Sequence, residues 1–202
     1  APQTTLVVTL SNGATITFGP DYVVGTTVQS TPFTIQTDDV YKDGETYEIT
    51  VASTTGGNFE NLVTTDKATV TVTDTKDTTT LTLNDVSVNE GTGTATVGGS
   101  LDYAPQTTLV VTLSNGATIT FEPNYVVGTV VQSTPFVIQT DDVYKDGETY
   151  TLTVASTIGG NFENLVTTDT SIVTVNDTET PVTVNLSAST VNEDAADTSY
   201  VF

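Results

Sequence analysis

Residues 104–121 read APQTTLVVTLSNGATITF, and residues 1–18 read the same letter for letter. Leu109, Val111 and Leu113 share one parity, Ser114–Ala117 supply an Asn-Gly turn, and Ile119 and Phe121 resume the alternation. A period of two on both sides of a tight turn marks a half-buried β-hairpin, and Asn-Gly predicts a turn of the I′ kind. The duplication extends well beyond the hairpin. Residues 104–179 match residues 1–76 at 64 of 76 positions, a period of 103. Copies this alike point to a module repeated for length or valency, because separate functional sites would have diverged.

Working outward, the same alternation recurs at Leu81 and Leu83, and at Ala95, Val97, Leu101 and Tyr103. It returns at Phe136 and Ile138, at Tyr150, Leu152 and Val154, and at Val173 and Val175. The segment EPNYVVGTVVQST reads as a loop or one extra short strand. No stretch has a 3.6-residue period. About seven strands in about 100 residues, separated by turn signals, predict an all-β fold: immunoglobulin-like Greek-key β-sandwich modules in tandem. The opening DTTTLTLNDVSVNEG at Asp77 is echoed in register by TPVTVNLSASTVNED at Thr180. One full module therefore spans 77–179, 1–76 is a module lacking its first strands, and 180–202 are the first strands of a third.

The chain has four Lys, no Arg and 25 acidic residues, a net charge of −21. Nucleic acid and anionic membranes repel such a surface, which argues against both as partners. The 36% hydrophobic content, mostly Val, Leu and Ile among Thr, is that of strands with a core rather than a disordered acidic tail. No run of about 18 apolar residues suggests a membrane span. Without Cys or His there is no thiolate or imidazole ligand and no Ser-His or Cys-His pair. Carboxylate pairs alone lie in turns with no evident cleft, so enzyme activity is not expected.

Antiparallel strands sort the loops onto two ends. One end gathers Glu90, Asp141, Asp142, Asp146, Glu148 and Asp177, with Asp38, Asp39, Asp43, Glu45 and Asp74 as its counterparts in the first copy. The other end carries Asp77, Asp102 and the GGNFEN loop at 159–164. Carboxylates about 4 Å apart repel by roughly 4 kcal/mol even at an effective dielectric near 20, and Lys145 alone does not compensate. Hard oxygen ligands in such surplus favour bound Ca²⁺, although a solvated, solubilising acidic loop is the plainer alternative. The links TDTKD at 73–77 and NDTE at 176–179 are short enough for a metal at the joint to stiffen them. Tyr125, Tyr144 and Tyr150 read as core or rim packing.

TDDVYKDGETYTLTVASTIGGNFENLV, with SNGATITF before it and DTTTLTL…VNEG opening the module, resembles the extender repeats of giant type-I-secreted adhesins of Gram-negative bacteria. These include the Lap-type biofilm adhesins and their ice-binding relatives. The resemblance implies an extracellular, cell-surface spacer whose tandem modules bind Ca²⁺ near their junctions and hold distal adhesive domains away from the cell. Carried onto this chain, the implied ligands are Glu90, Asp141, Asp142, Asp146 and Asp177, with Asp38, Asp39, Asp43, Asp74 and Asp77 at the first junction, and Asp102 taken with them. Empty, mutually repelling sites would keep the chain loose in a low-Ca²⁺ cytosol, so folding would follow secretion.

The alternative is a homophilic or ligand-binding module that joins cells as cadherin-like domains do. The partners expected are neighbouring repeats of the same chain. The odd ends add another: residues 180–202 of one molecule could complete the strands missing from residues 1–76 of the next, head to tail.

Overall fold

The computed structural model describes residues 1–188. They fold into two compact units. The first comprises Ala1–Thr80 with Pro105–Thr107 and Gly160–Val166, and the second Leu81–Ala104, Thr108–Gly159 and the residues from Thr167 on. The described residues are all β, with no helix.

In the first unit, β1 (Leu6–Leu10), β2 (Thr15–Phe18), β3 (Glu45–Gly56) and β4 (Lys67–Val72) form one antiparallel sheet ordered β2-β1-β3-β4. Leu6 faces Phe18 across the hairpin and Gly56 on the other side. The register slips between Thr9 and Leu10, a bulge that lets twelve-residue β3 follow β1 and β4 in succession. The alternation buries Leu6 and Ile49. Val24 and Val63, by contrast, remain exposed around an apolar groove that also includes Leu6, Val8 and Phe18.

Next along the chain come β5 (Thr78–Leu83), β6 (Val86–Asn89), β7 (Thr94–Ala95), β8 (Gly98–Leu101), β9 (Leu109–Leu113) and β10 (Thr118–Phe121). Then follow β11 (Val131–Gln132), β12 (Phe136–Val137), β13 (Glu148–Leu152), β14 (Val154–Ile158), β15 (Asn164–Val166) and β16 (Ser171–Asn176). In the second unit β10-β9-β14 make one sheet, β13-β16-β6 another, and β12 pairs with β7. Strand β5 passes from one unit to the other. Its residues 78–80 run parallel to β15 in the first, and 81–83 run antiparallel to β8 in the second. The core of the second unit is the same-parity set read from the alternation: Leu81, Val97, Leu101, Leu109, Val111, Ile119, Phe121, Val173 and Val175 are all buried. Each such side chain contributes roughly 1.5–3 kcal/mol on leaving water.

Several details depart from the sequence reading. The Asn-Gly hairpin is not of the I′ kind. Gly116 N donates to Leu113 O and Leu113 N to Ala117 O, so the loop has three residues, and only Gly116 is left-handed (φ 86°). Asn115 keeps ordinary φ because its Oδ1 accepts the Ala117 N–H at 3.1 Å, which fixes a type I turn followed by a glycine bulge. Tyr103 leaves the parity set and is exposed, since β8 stops at Leu101. The run through Tyr150–Val154 breaks at Thr153, where the strand changes sheets. Two parallel pairings, β6 with β16 and β15 with β5, were not anticipated. EPNYVVGTVVQST does hold one short strand, β11. Residues 180–188 carry no strand, and the rest of the third module expected there lies outside the described residues.

Candidate metal centre

Strand β16 ends at Asn176, and the chain then turns Asp177 inward beside Glu90, which follows β6. The parallel β6–β16 ladder sets this meeting: Asn89 lies opposite Asn176, and Glu90 N donates to Asn176 O at 2.9 Å. Asp146 arrives from the loop before β13. It can do so because residue 147 is glycine: a Cβ there would stand 2.9 Å from Asp177 N and from Val175 O. Carboxylate oxygens of Glu90, Asp146 and Asp177 lie within 4.8 Å of one another. Asp141 adds its charge to Glu90, and its Oδ2 accepts Thr180 Oγ1–H at 3.3 Å.

Glu90 is the informative member. It is buried, and Thr178 N–H reaches its Oε1 at 2.8 Å while Oε2 finds no partner. The Thr178 hydrogen bond lowers its pKa. Burial, the contact with the Asp177 carboxyl and the charges of Asp177 and Asp141 outweigh that bond and hold the pKa above the ordinary glutamate value. No cation contributes to this shift among the described residues. Asp177 Oδ1 is likewise buried and unpartnered.

A second carboxylate group lies in the first unit. Glu163 accepts the Asp77 N–H through Oε2, while its Oε1 is buried without a partner. That hydrogen bond lowers its pKa; burial, contact with the Asp74 carboxyl and the charges of Asp74 and Asp77 raise it further. The net shift is upward. Asp74 also lines a pocket of about 190 Å³ with Asp38 and Asp43. Asp74 and Asp177 are equivalent in the 103-residue register, so each meets a glutamate, Glu163 half-buried and Glu90 buried, that has one buried oxygen without a partner.

The structure thus brings together Glu90, Asp146 and Asp177, with the charge of Asp141 acting on Glu90. Separately, Asp38, Asp43 and Asp74 line one pocket, and Asp77 lies beside Glu163. Asp39 and Asp142 instead hold local turns, accepting the Tyr41 and Tyr144 N–H at 2.8 and 2.6 Å. Asp102 belongs to neither group. Glu163 escaped the sequence reading. Its only signal is the run Gly159-Gly160-Asn161, all three at positive φ, which folds the GGNFEN loop back and aims its glutamate inward. Tyr125 is structural: its hydroxyl donates to Thr129 O at 2.7 Å and accepts Leu101 N–H at 2.9 Å. Tyr144 is exposed, and Tyr150 lies in β13.

The donor set is oxygen only, anionic and partly buried with free lone pairs, which fits a hard divalent cation of the Ca²⁺ class. No helix among the described residues is long and apolar enough to cross a membrane. No curated protein matches the chain. The LapA domain family matches it twice in succession, over residues 1–75 and again over 77–178, a division that follows the internal repeat. With nearly the whole described sequence covered, the chain belongs to the LapA domain family.

Proposed function

We propose that this chain is a spacer segment of a Lap-type bacterial surface adhesin, stiffened by Ca²⁺ and serving to hold adhesive domains away from the cell. Family membership supports a structural role at the cell surface. The observation that carries the metal is the set of buried, unpartnered carboxylate oxygens on Glu90, Asp177 and Glu163 in a chain of net charge −21. Leaving such oxygens buried without a proton, donor or cation is unfavourable. Bound Ca²⁺ would take Glu90, Asp146 and Asp177 in one group and Asp74 with Glu163 in the other, completing its six to eight ligands with carbonyls and water.

The metal would supply charge neutralisation and cross-linking, and no reaction. In each group the residues come from distant stretches of chain, so one ion would tie a strand end to loops. At low Ca²⁺ the carboxylates repel, which keeps the chain loose enough for export; outside the cell, binding would drive folding. The parallel β6–β16 ladder and antiparallel β5–β8 pairing support the immunoglobulin-like Greek-key reading of the module at 77–179.

Small-angle X-ray scattering of the chain in millimolar Ca²⁺ and in excess chelator tests this. The expected result is an extended, stiff particle that becomes flexible when Ca²⁺ is removed. Identical profiles would reduce the acidic loops to solubilising decoration.

A further inference from the structure

The chain contains two Asn-Gly pairs, Asn12-Gly13 and Asn115-Gly116, and two Asp-Gly pairs, Asp43-Gly44 and Asp146-Gly147, the members of each kind one period apart. Such pairs share one spontaneous reaction. The glycine amide nitrogen attacks Cγ of the preceding side chain, a C–N bond forms, and a five-membered succinimide results. Ammonia leaves from asparagine, and water from aspartate. Water then opens the ring at either carbonyl and gives chiefly isoaspartate, whose main chain runs through the former side-chain carbonyl. Asparagine ends with one water gained and one ammonia lost. Aspartate is rearranged with no net change in atoms, and nothing is oxidised or reduced. In an open chain at neutral pH Asn-Gly reacts faster, because an ionised carboxylate is a poorer target than an amide.

The folded chain treats the two kinds differently. In both Asn-Gly turns the attacking nitrogen is occupied: Gly13 N donates to Leu10 O and Gly116 N to Leu113 O, each at 2.9 Å. The target side chain is held as well. Asn12 Oδ1 accepts the Ala14 N–H and Asn115 Oδ1 the Ala117 N–H, each at 3.1 Å. Ring closure has to break both bonds inside a hairpin whose strands are paired. Neither restraint exists at the Asp-Gly pairs. Among the described residues, Gly44 N and Gly147 N donate no hydrogen bond, and none ties the Asp43 or Asp146 carboxylate. Both aspartates are exposed. Asp43 keeps that exposure although Asn161 and Phe162 pack against Lys42 and Tyr41, and Asp146 keeps it although oxygens of Glu90 and Asp177 lie within 4.8 Å. Glycine is also imposed at the second position. A Cβ at residue 147 would stand 2.9 Å from Asp177 N and Val175 O, and one at residue 44 would stand 3.2 Å from Val72 O. The close backbone approach therefore places after each aspartate the residue whose nitrogen is least screened.

We propose that Asp43 and Asp146 are sites of spontaneous isoaspartate formation in the folded chain, while the two Asn-Gly turns are protected by their own hydrogen bonds. The fold thereby reverses the order that open peptides follow. At residue 146 the product carries one extra main-chain carbon before Gly147, and its carboxylate hangs directly on Cα. The segment entering β13 is lengthened, and the carboxylate leaves its place beside Glu90 and Asp177. The inference concerns the chain without bound metal and does not rest on the metal reading.

Prolonged incubation of the 202-residue chain at neutral pH in chelator tests this. One sample holds enough sucrose to preserve the native β-sheet circular dichroism, and a second is unfolded in urea. Isoaspartate is counted by enzymatic methyl transfer to its free α-carboxylate and located by peptide mapping. In the folded chain Asp43 and Asp146 should convert first, at rates within a few fold of those in urea. Asn12 and Asn115 should react about 10- to 100-fold more slowly folded than in urea, as two retained hydrogen bonds require. Urea should restore the open-chain order, with the Asn-Gly pairs ahead. Isoaspartate that appears first at Asn12 or Asn115 in the folded chain overturns the inference. So do Asp43 and Asp146 that stay intact when folded yet convert in urea.

Discussion

Replacing Asp177 by Asn removes one of three clustered negative charges while keeping the side chain's shape, and its effect should change sign with calcium. Oδ1 of Asp177 is buried without a partner, and oxygens of Glu90 and Asp146 lie within 4.8 Å. A site held at about 100 times its dissociation constant stabilises the folded chain by about 2.7 kcal/mol. If losing one of three carboxylate ligands weakens binding about 100-fold, roughly 0.4 kcal/mol remains. The difference of about 2.3 kcal/mol corresponds to a melting temperature lower by roughly 9–18 °C for a unit of about 100 residues. In chelator the substitution relieves repulsion with Glu90, and the new amide can donate to the vacant Glu90 Oε2. The variant should then melt at the parent's temperature or a few degrees above it. Scanning calorimetry of both chains in both buffers makes the comparison. Equal falls in Ca²⁺ and chelator would mean that Asp177 is only structural, and no fall in Ca²⁺ would mean that it is no ligand; either result refutes the reasoning.

The raised pKa values of Glu90 and Glu163 fix a pH dependence. Protonated glutamates favour the folded state here, so their contribution is fully present below the unfolded value and is lost as pH rises through the elevated folded one. The calcium-free chain should therefore melt higher near pH 5 than near pH 7, and a Glu90→Gln, Glu163→Gln double variant should flatten that slope; a parent slope of opposite sign would sink the assignment. Gly147→Ala places a methyl 2.9 Å from Asp177 N and Val175 O, so the loop carrying Asp146 must move. Calcium titration calorimetry should show affinity lowered by at least about tenfold, with unchanged binding as the contrary result. Leu81→Ala empties part of the second unit's core and should cost about 2–5 kcal/mol in chemical denaturation, with a loss under about 1 kcal/mol contradicting its burial.

Much of this was legible along the chain, because alternation has a physical cause that acts locally. The parity set from Leu81 to Val175 became the buried core since one face of each strand must leave water. The acidic end was legible too: counting antiparallel strands brought Glu90, Asp141, Asp146 and Asp177 to one place. What escaped reading depends on partners far away in sequence. The parallel ladder of β6 and β16 joins residues 87 apart, and Glu163 meets Asp77 across 86. Nothing within either segment announces the other. The paired aspartates at 38–39 and 141–142 look alike in sequence, yet the second of each pair caps the turn that its own backbone makes. Asn115 likewise keeps ordinary φ because its side chain answers Ala117, a preference that composition alone does not reveal.

The parallel ladder of β6 and β16 also bears on how the chain would carry a load in the spacer role proposed above. A filament anchored at one end and gripped at the other is pulled from its termini. In the second unit, β6 comes early in the chain and β16 late, and they run side by side in the same direction over Val86–Asn89 and Val173–Asn176. Tension draws β6 backward and β16 forward, so the force lies along the strands and strains every bond of the ladder together. An antiparallel pair pulled from one end would open one bond at a time, like a zipper. The carboxylate group of Glu90 and Asp177 sits at the far end of this ladder. An ion held there would act as a rivet on the seam that must shear before the unit can be pulled apart.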